Sequence, residues 1–297
     1  MALKGGQIAG AVLIFGTLGV AAAVILSGDP EGDMVQAVRT ADLARVQSLL
    51  QQDPQLARAK VYPQGSRSSR TGRVRVTWEG QYVIHEAVQA FEDRTSILDA
   101  LAGSGADLTV RLRGRTPLHL AASFGNAKSV AWLLDQGADP NSRNECDACP
   151  ERGQTPLHEG QRTNDRELNE LLLARGADIN ALDGEGQSAL HVSAAVGSVA
   201  GAWTLCARGA DPHLKDGRGR APYDVAREVD RSGRATVYTE IYGPGELAAW
   251  LGPGGACLEL AGIARASGAP VPEGRALAIF RAFACSRGTT NACGGGT

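Results

Sequence analysis

Between Gly114 and Asn141 apolar residues recur at helical spacing in two separate sets, first Leu118, Ala121 and Ala122, then Val130, Leu133 and Leu134. The Thr116 hydroxyl can cap the free amides of a helix start, and Pro117 follows at the first helical position, where its missing N–H costs nothing. Gly125 and Gly137 each supply the left-handed residue that ends a helix. The first helix is short and mostly small-faced, so it can approach a neighbour closely. Residues 138–141 turn the chain back. Two short antiparallel helices bury too little surface to stand alone, so the pattern requires copies of itself.

The copies are present. Units start at Gly80 (GQYVIHEAV), Gly114 (GRTPLHLAA), Gly153 (GQTPLHEGQ), Gly186 (GQSALHVSA) and Gly219 (GRAPYDVAR), in steps of 34, 39, 33 and 33 residues. The endings GSGADL, DQGADPN, ARGADIN and ARGADPH recur in phase. These units resemble the ankyrin repeat, a unit of about 33 residues with a T-P-L-H-x-A signature. The resemblance covers residues 32–251, is close to consensus at 114–141, and implies an all-α solenoid of helix-turn-helix units. It also implies that His85, His119, His158 and His191, at equivalent positions with Thr116 and Thr155 before two of them, hydrogen-bond between neighbouring units. Catalytic or metal chemistry would need histidines that converge, whereas a fixed stacking pitch spaces them as a ladder. Asp224 takes the histidine's place in the last unit, a change common in closing ankyrin repeats.

Residues 1–31 fall outside the repeats. Ile8 to Leu26 carries no charge, and about 19 helical residues extend roughly 29 Å, the thickness of a bilayer's hydrocarbon core. Lys4 before it and Asp29, Glu31 and Asp33 after it orient the repeat domain away from the cytoplasm. The expectation is a single-pass anchor; the alternative is a signal peptide cleaved near Ala23, which also exports the domain. Residues 32–60 read as a capping pair with Met34, Val35 and Val38 on one helix and Leu43, Val46, Leu49 and Leu50 on the next. Residues 61–79 read as an inserted β-hairpin, because the period falls to two from Val74; it carries Arg67, Arg70, Arg73 and Arg75. The unit at Gly80 lacks Thr-Pro and has about two extra residues near Glu92, so it is the softer inner repeat. In the last unit Ala235 to Tyr242 has strand composition and the second helix is expected at Glu246 to Leu251. Residues 252–297 are expected to form a cap of two helices, Ala256 to Ala266 and Gly274 to Cys285, with a flexible tail.

The six cysteines refine this picture. The long step from Gly114 to Gly153 comes from an insertion, Glu145 to Pro150, at a finger turn, and it contains Cys146-x-x-Cys149. A structural disulfide is expected in an exported domain; a redox dithiol or half a metal site are the alternatives. Cys206 falls at a leucine position and reads as a buried thiol. Cys257 and Cys285 are equally far from Val271 in the connecting loop, so an antiparallel hairpin would pair them, with Cys293 as the other candidate.

A formal net charge of −2 argues against a nucleic-acid partner, which would need a basic surface. No G-x-S-x-G, Walker loop, H-E-x-x-H or dinucleotide fingerprint occurs, so no enzyme, cofactor or small-molecule substrate is predicted. The expected function is protein binding through the finger turns (Arg113, Glu145, Asp147, Glu151, Arg152, Glu185, Arg218) and the first-helix face (Glu86, Gln89, Phe124, Glu159, Arg162). Scaffold, inhibitor and immunity-type roles all fit that reading. The alternative from another class is a thiol redox or metal-handling protein working through Cys146 and Cys149. Phe124 and Arg162 are of the residue types enriched at binding hot spots.

Overall fold

A computed structural model describes residues 30–61, 81–89, 93–232 and 246–286. Its helices come in pairs: α1 (Pro30–Arg39) and α2 (Leu43–Gln52), α3 (Val83–Val88) and α4 (Thr95–Gly103), α5 (Pro117–Ser123) and α6 (Ala127–Asp135), α7 (Pro156–Gly160) and α8 (Arg166–Ala174), α9 (Ala189–Val196) and α10 (Val199–Ala207). Then follow α11 (Pro222–Arg231), α12 (Glu246–Leu251), α13 (Ala256–Ser267) and α14 (Glu273–Ser286). First helices pack on first helices from α1 to α11, and second helices on second helices from α2 to α10, which makes a two-layered solenoid.

The apolar spacing explains the layering. Leu118, Leu133, Leu157, Leu168, Leu172, Leu190 and Leu205 have at most 1% of their surface exposed and join one core that runs from Met34 to Ala276. The helix starts follow the expected chemistry. Asn126, Asp165 and Ser198 each cap a second helix by accepting an amide hydrogen three residues on. Beyond Gln52 the chain does not simply turn: Pro54–Arg58 forms a 3-10 helix, capped by Asp53, that buries Leu56 and Ala57.

Two short strands, β1 (Lys60–Val61) and β2 (Gln81–Tyr82), pair antiparallel, Lys60 opposite Tyr82 and Val61 opposite Gln81. Residues 62–80 between them lie outside the described residues, and with them most of the expected hairpin and its four arginines. The same holds for the Ile8 to Leu26 anchor, for Glu92, for Ala235 to Tyr242 and for Cys293.

The C-terminal end departs from expectation in two ways. The second helix expected at Glu246–Leu251 is present at those bounds and packs against α11, but the helix stacked on α10 in the second-helix layer is α13. The backbone of Val271 also donates to Ala207 O (2.9 Å), and Arg265 pairs with Asp211 (3.3 Å), tying α13 and its following loop to the α10 unit. Cys257 is correspondingly bonded to Cys206, with Cα atoms 5.2 Å apart and both residues fully buried. This corrects the Cys257–Cys285 pairing and the free thiol at Cys206. An isolated α13–α14 hairpin would pair Cys257 with Cys285, whereas α13 packs on α10 and presents Cys257 to the repeat before it. Leu247–Ser267 is long and apolar enough to cross a membrane, but 56% of it is buried within the protein and Gly252–Gly255 breaks it in two.

Candidate functional site

The histidines build the frame that holds the fingers. Each Nε2 faces a backbone carbonyl of the next unit: His85 to Val110 (3.3 Å), His119 to Gln154 (2.9 Å), His158 to Gln187 (3.0 Å) and His191 to Arg220 (3.0 Å). A carbonyl can only accept, so Nε2 carries the proton. Nδ1 is then the acceptor, taking the amide hydrogens of Tyr82, Thr116, Thr155 and Ser188 and the hydroxyls of the last three. Burial drives all four pKa values down, to about 4 for His85 and His119, which keeps the rings neutral. They are linkers, and their chemistry is spent on the scaffold. Among the described residues no group of three or more His, Cys, Asp and Glu is placed to hold a metal.

Neighbouring fingers are joined by their backbones. Gly184 N donates to Arg152 O (2.8 Å) and Gly217 N to Glu185 O (2.7 Å). A Cβ on Gly184 would lie 2.8 Å from that same Arg152 oxygen, so only glycine permits the approach. The Cys146/Cys149 insertion is closed at its base by Asn144 N to Gln154 O (2.8 Å) and Gly153 N to Asn144 O (2.7 Å). Glu145 N also donates to Gly114 O on the preceding finger (3.1 Å). Cys146 and Cys149, both half-buried, stand side by side with Cα atoms 5.7 Å apart.

The predicted contact residues separate into three groups. Arg113, Asp147, Arg152, Glu185 and Arg218 are exposed and stand on successive fingers, while Glu145 is exposed and paired with Arg111 (2.8 Å). Glu86 and Gln89 sit at the N-terminal end of the first-helix face, where Glu86 pairs with Arg39 (2.7 Å). Glu151, Glu159 and Arg162 come together in the middle of the array. Glu159 occupies the place held by Leu120 and Val192 in the flanking units and is just as buried. Its Oε1 lies 3.0 Å from Arg115 Nε and its Oε2 3.5 Å from Arg162 Nε, yet neither oxygen accepts a well-directed hydrogen bond. Glu151 reaches Arg115 Nη2 at 3.9 Å and Arg162 Nη2 at 3.8 Å. Burial raises the Glu159 pKa against the pull of the two arginines.

Sequence reasoning missed Arg115. The signal was available: a carboxylate at a leucine position of the first helix needs a countercharge, and position 115 starts the same unit's neighbour. The same repeat also buries Gln161 and Asn169 where its neighbours place Ala122 and Ala194, and Val130 and Ala202. This second polar cluster is satisfied: Gln161 Nε2 donates to Leu157 O and to Asn169 Oδ1 (both 2.8 Å), and Ser193 Oγ donates to Gln161 Oε1 (2.8 Å). Phe124, 37% exposed, stands on the first-helix face of the unit before. Its neighbour Gly125 lies so close to Thr163 that an added Cβ would come within 3.3 Å of the Thr163 methyl.

A solenoid whose histidines, threonines and glycines are committed to stacking is a display scaffold, with fingers and first helices as its variable surface. The family model described as ankyrin repeat matches residues 113–145 and 152–184, and one described as ankyrin repeats (many copies) matches 172–226. The chain is an ankyrin-repeat protein, and ankyrin repeats serve protein–protein interaction. It is 34% identical over 121 residues to the B-cell lymphoma 3 protein homolog of Mus musculus, covering 40% of this chain and 26% of that protein. It is 36% identical over 102 residues to NF-kappa-B inhibitor alpha of Homo sapiens (34% and 32%), and 35% over 100 residues to E3 ubiquitin-protein ligase KEG of Arabidopsis thaliana (33% and 6%). The chain thus spans a third or less of the length of these relatives.

Proposed function

We propose that this protein is a non-catalytic binding module, held at a membrane by Ile8 to Leu26 and displaying its repeats on the extracytoplasmic side. It acts there as a scaffold, an inhibitor or an immunity-type protein. The observation that carries the binding reading is the first-helix face at its centre, where exposed Phe124 and Arg162 stand on adjacent units. Aromatic and arginine side chains so placed are the usual anchors of protein interfaces. Export is supported by the uncharged leader with Lys4 before it, and by two cysteine pairs in a chain with six cysteines. An inserted hairpin over 61–79, closed by the β1–β2 pairing, belongs to the same proposal.

The test is photo-crosslinking from position 124 in membranes, with a probe at Trp203 on α10 as the second-helix control. A protein captured from position 124 and not from 203 supports the reading; equal capture from both sinks it. Alkylation of the intact protein before and after reduction reports the compartment. Four or more oxidised cysteines fit export, and six free thiols refute it.

A further inference from the structure

The charge quartet at the centre of the first-helix face is the strongest departure from the repeat pattern among the described residues. A fully buried carboxylate in a leucine position costs stability, and departures of this kind mark functional sites. Resting on the binding reading above, we infer that Arg115 and Arg162 form a receptor for an acidic side chain of the partner protein, with Glu159 as the positioning residue beneath them.

The geometry divides the donors of each guanidinium. On both arginines Nε faces Glu159 and Nη2 faces Glu151; Arg162 Nη2 also donates to Gln154 Oε1 at 3.5 Å. Neither Nη1 has a partner among the described residues, and the side chains are 26% and 41% exposed. These two amino groups, on partly exposed side chains, offer up to four N–H donors. Arginine donors in fixed planar geometry suit carboxylates, which accept two hydrogen bonds side by side. Side-chain ordering is a large part of what binding costs, and here it is met in advance by ion pairs on the protein itself. Arg111, Arg113, Arg143 and Arg152 on the same two fingers are balanced by Asp107, Asp139, Glu145 and Asp147, so recognition rests on the directed donors of Arg115 and Arg162 and not on a net positive field. Phe124 on the adjacent unit supplies an apolar contact beside the charged one. The partner segment therefore carries an Asp or Glu next to an apolar residue.

The test measures fluorescence anisotropy of a labelled hexaglutamate peptide with the full-length protein, alongside hexaglutamine and hexalysine peptides. Saturable binding of hexaglutamate alone is expected, weakened at least tenfold by Arg162→Ala and by Arg115→Ala. Arg162→Lys, which keeps the charge and loses the planar fork, should fall between. Arg175→Ala is the control: it is 39% exposed, paired with Asp135 at the end of a second helix, and should leave binding within twofold. Preference for hexalysine, equal binding of hexaglutamine, or equal loss in Arg175→Ala overturns the inference. So does absence of hexaglutamate binding. If position 124 still crosslinks a protein in that case, the binding module stands and only the acidic recognition falls.

Discussion

Replacing Glu159 by leucine is expected to stabilise the protein. Leucine and valine already occupy this position in the flanking units at 5% exposure, so the site accepts an aliphatic residue of similar volume. The substitution removes the desolvation cost of a carboxylate that accepts no well-directed hydrogen bond. Exchanging a whole buried ion pair for packed apolar residues is neutral or stabilising by about 1–4 kcal/mol, whereas removing one partner costs about 3–5 kcal/mol where the other is left buried and unpaired. Arg115 and Arg162 keep part of their hydration and retain Glu151, so the residual cost on their side is small, and we expect a gain of about 1–2 kcal/mol. For a domain of this size that raises Tm by about 2–8 °C. The sign also has a pH signature. The folded-state pKa of Glu159 is raised, so its penalty is complete above that value and is relieved as pH falls through it. The difference between variant and wild type should therefore shrink on acidification from pH 7. Urea denaturation followed by far-ultraviolet circular dichroism, at pH 7 and at lower pH, reads both effects. A loss of 1 kcal/mol or more in the leucine variant would refute the reasoning, since it would mean the ion pairs outweigh the burial.

Three further outcomes follow. The Cys206–Cys257 bond spans 51 residues, so chain entropy alone gives it a worth of about 4 kcal/mol; reduction or Cys257→Ala should lower Tm, and the two together should not add. The depressed pKa values of His85 and His119, about 4 against an ordinary 6.5, mean that the unfolded chain takes up protons first, so stability should be lost as pH falls from about 6.5 towards 4. Since the four histidines share this direction, replacing one of them should flatten the pH dependence measured by thermal denaturation. Cys149→Ser should leave partner binding intact if the finger disulfide is structural, whereas loss of activity with the fold preserved would favour thiol chemistry.

The solenoid was legible because its signals are redundant: each unit repeats the small-faced first helix, the histidine and the closing glycine, so the weak copy at Gly80 could be placed from its neighbours. Phe124 and Arg162 were legible as surface positions by the same phase, whereas Glu159, expected as a surface contact, is buried, because it takes the place of Leu120 and Val192 in the flanking units. The quartet was not, since it needs Arg115 from the preceding unit, and one-dimensional spacing does not show which finger faces which helix. The C-terminal end failed for a related reason. With the pattern interrupted after Arg231, the nearest helical stretch looked like the missing second helix, but the vacant place beside α10 goes to α13, which brings its own apolar face and Cys257.

Asp224 gives the array a direction of growth. Its Oδ2 accepts the Ala221 amide hydrogen (3.0 Å), the same service that Nδ1 performs in the histidine units. A carboxylate has no second nitrogen on the far side of a ring, so nothing reaches forward from this unit as Nε2 does from the others. Duplicated copies inserted among the histidine-bearing units inherit a linker on both flanks, whereas a copy placed after Asp224 would begin without one. Lengthening by gene duplication is thus favoured in the interior of the chain.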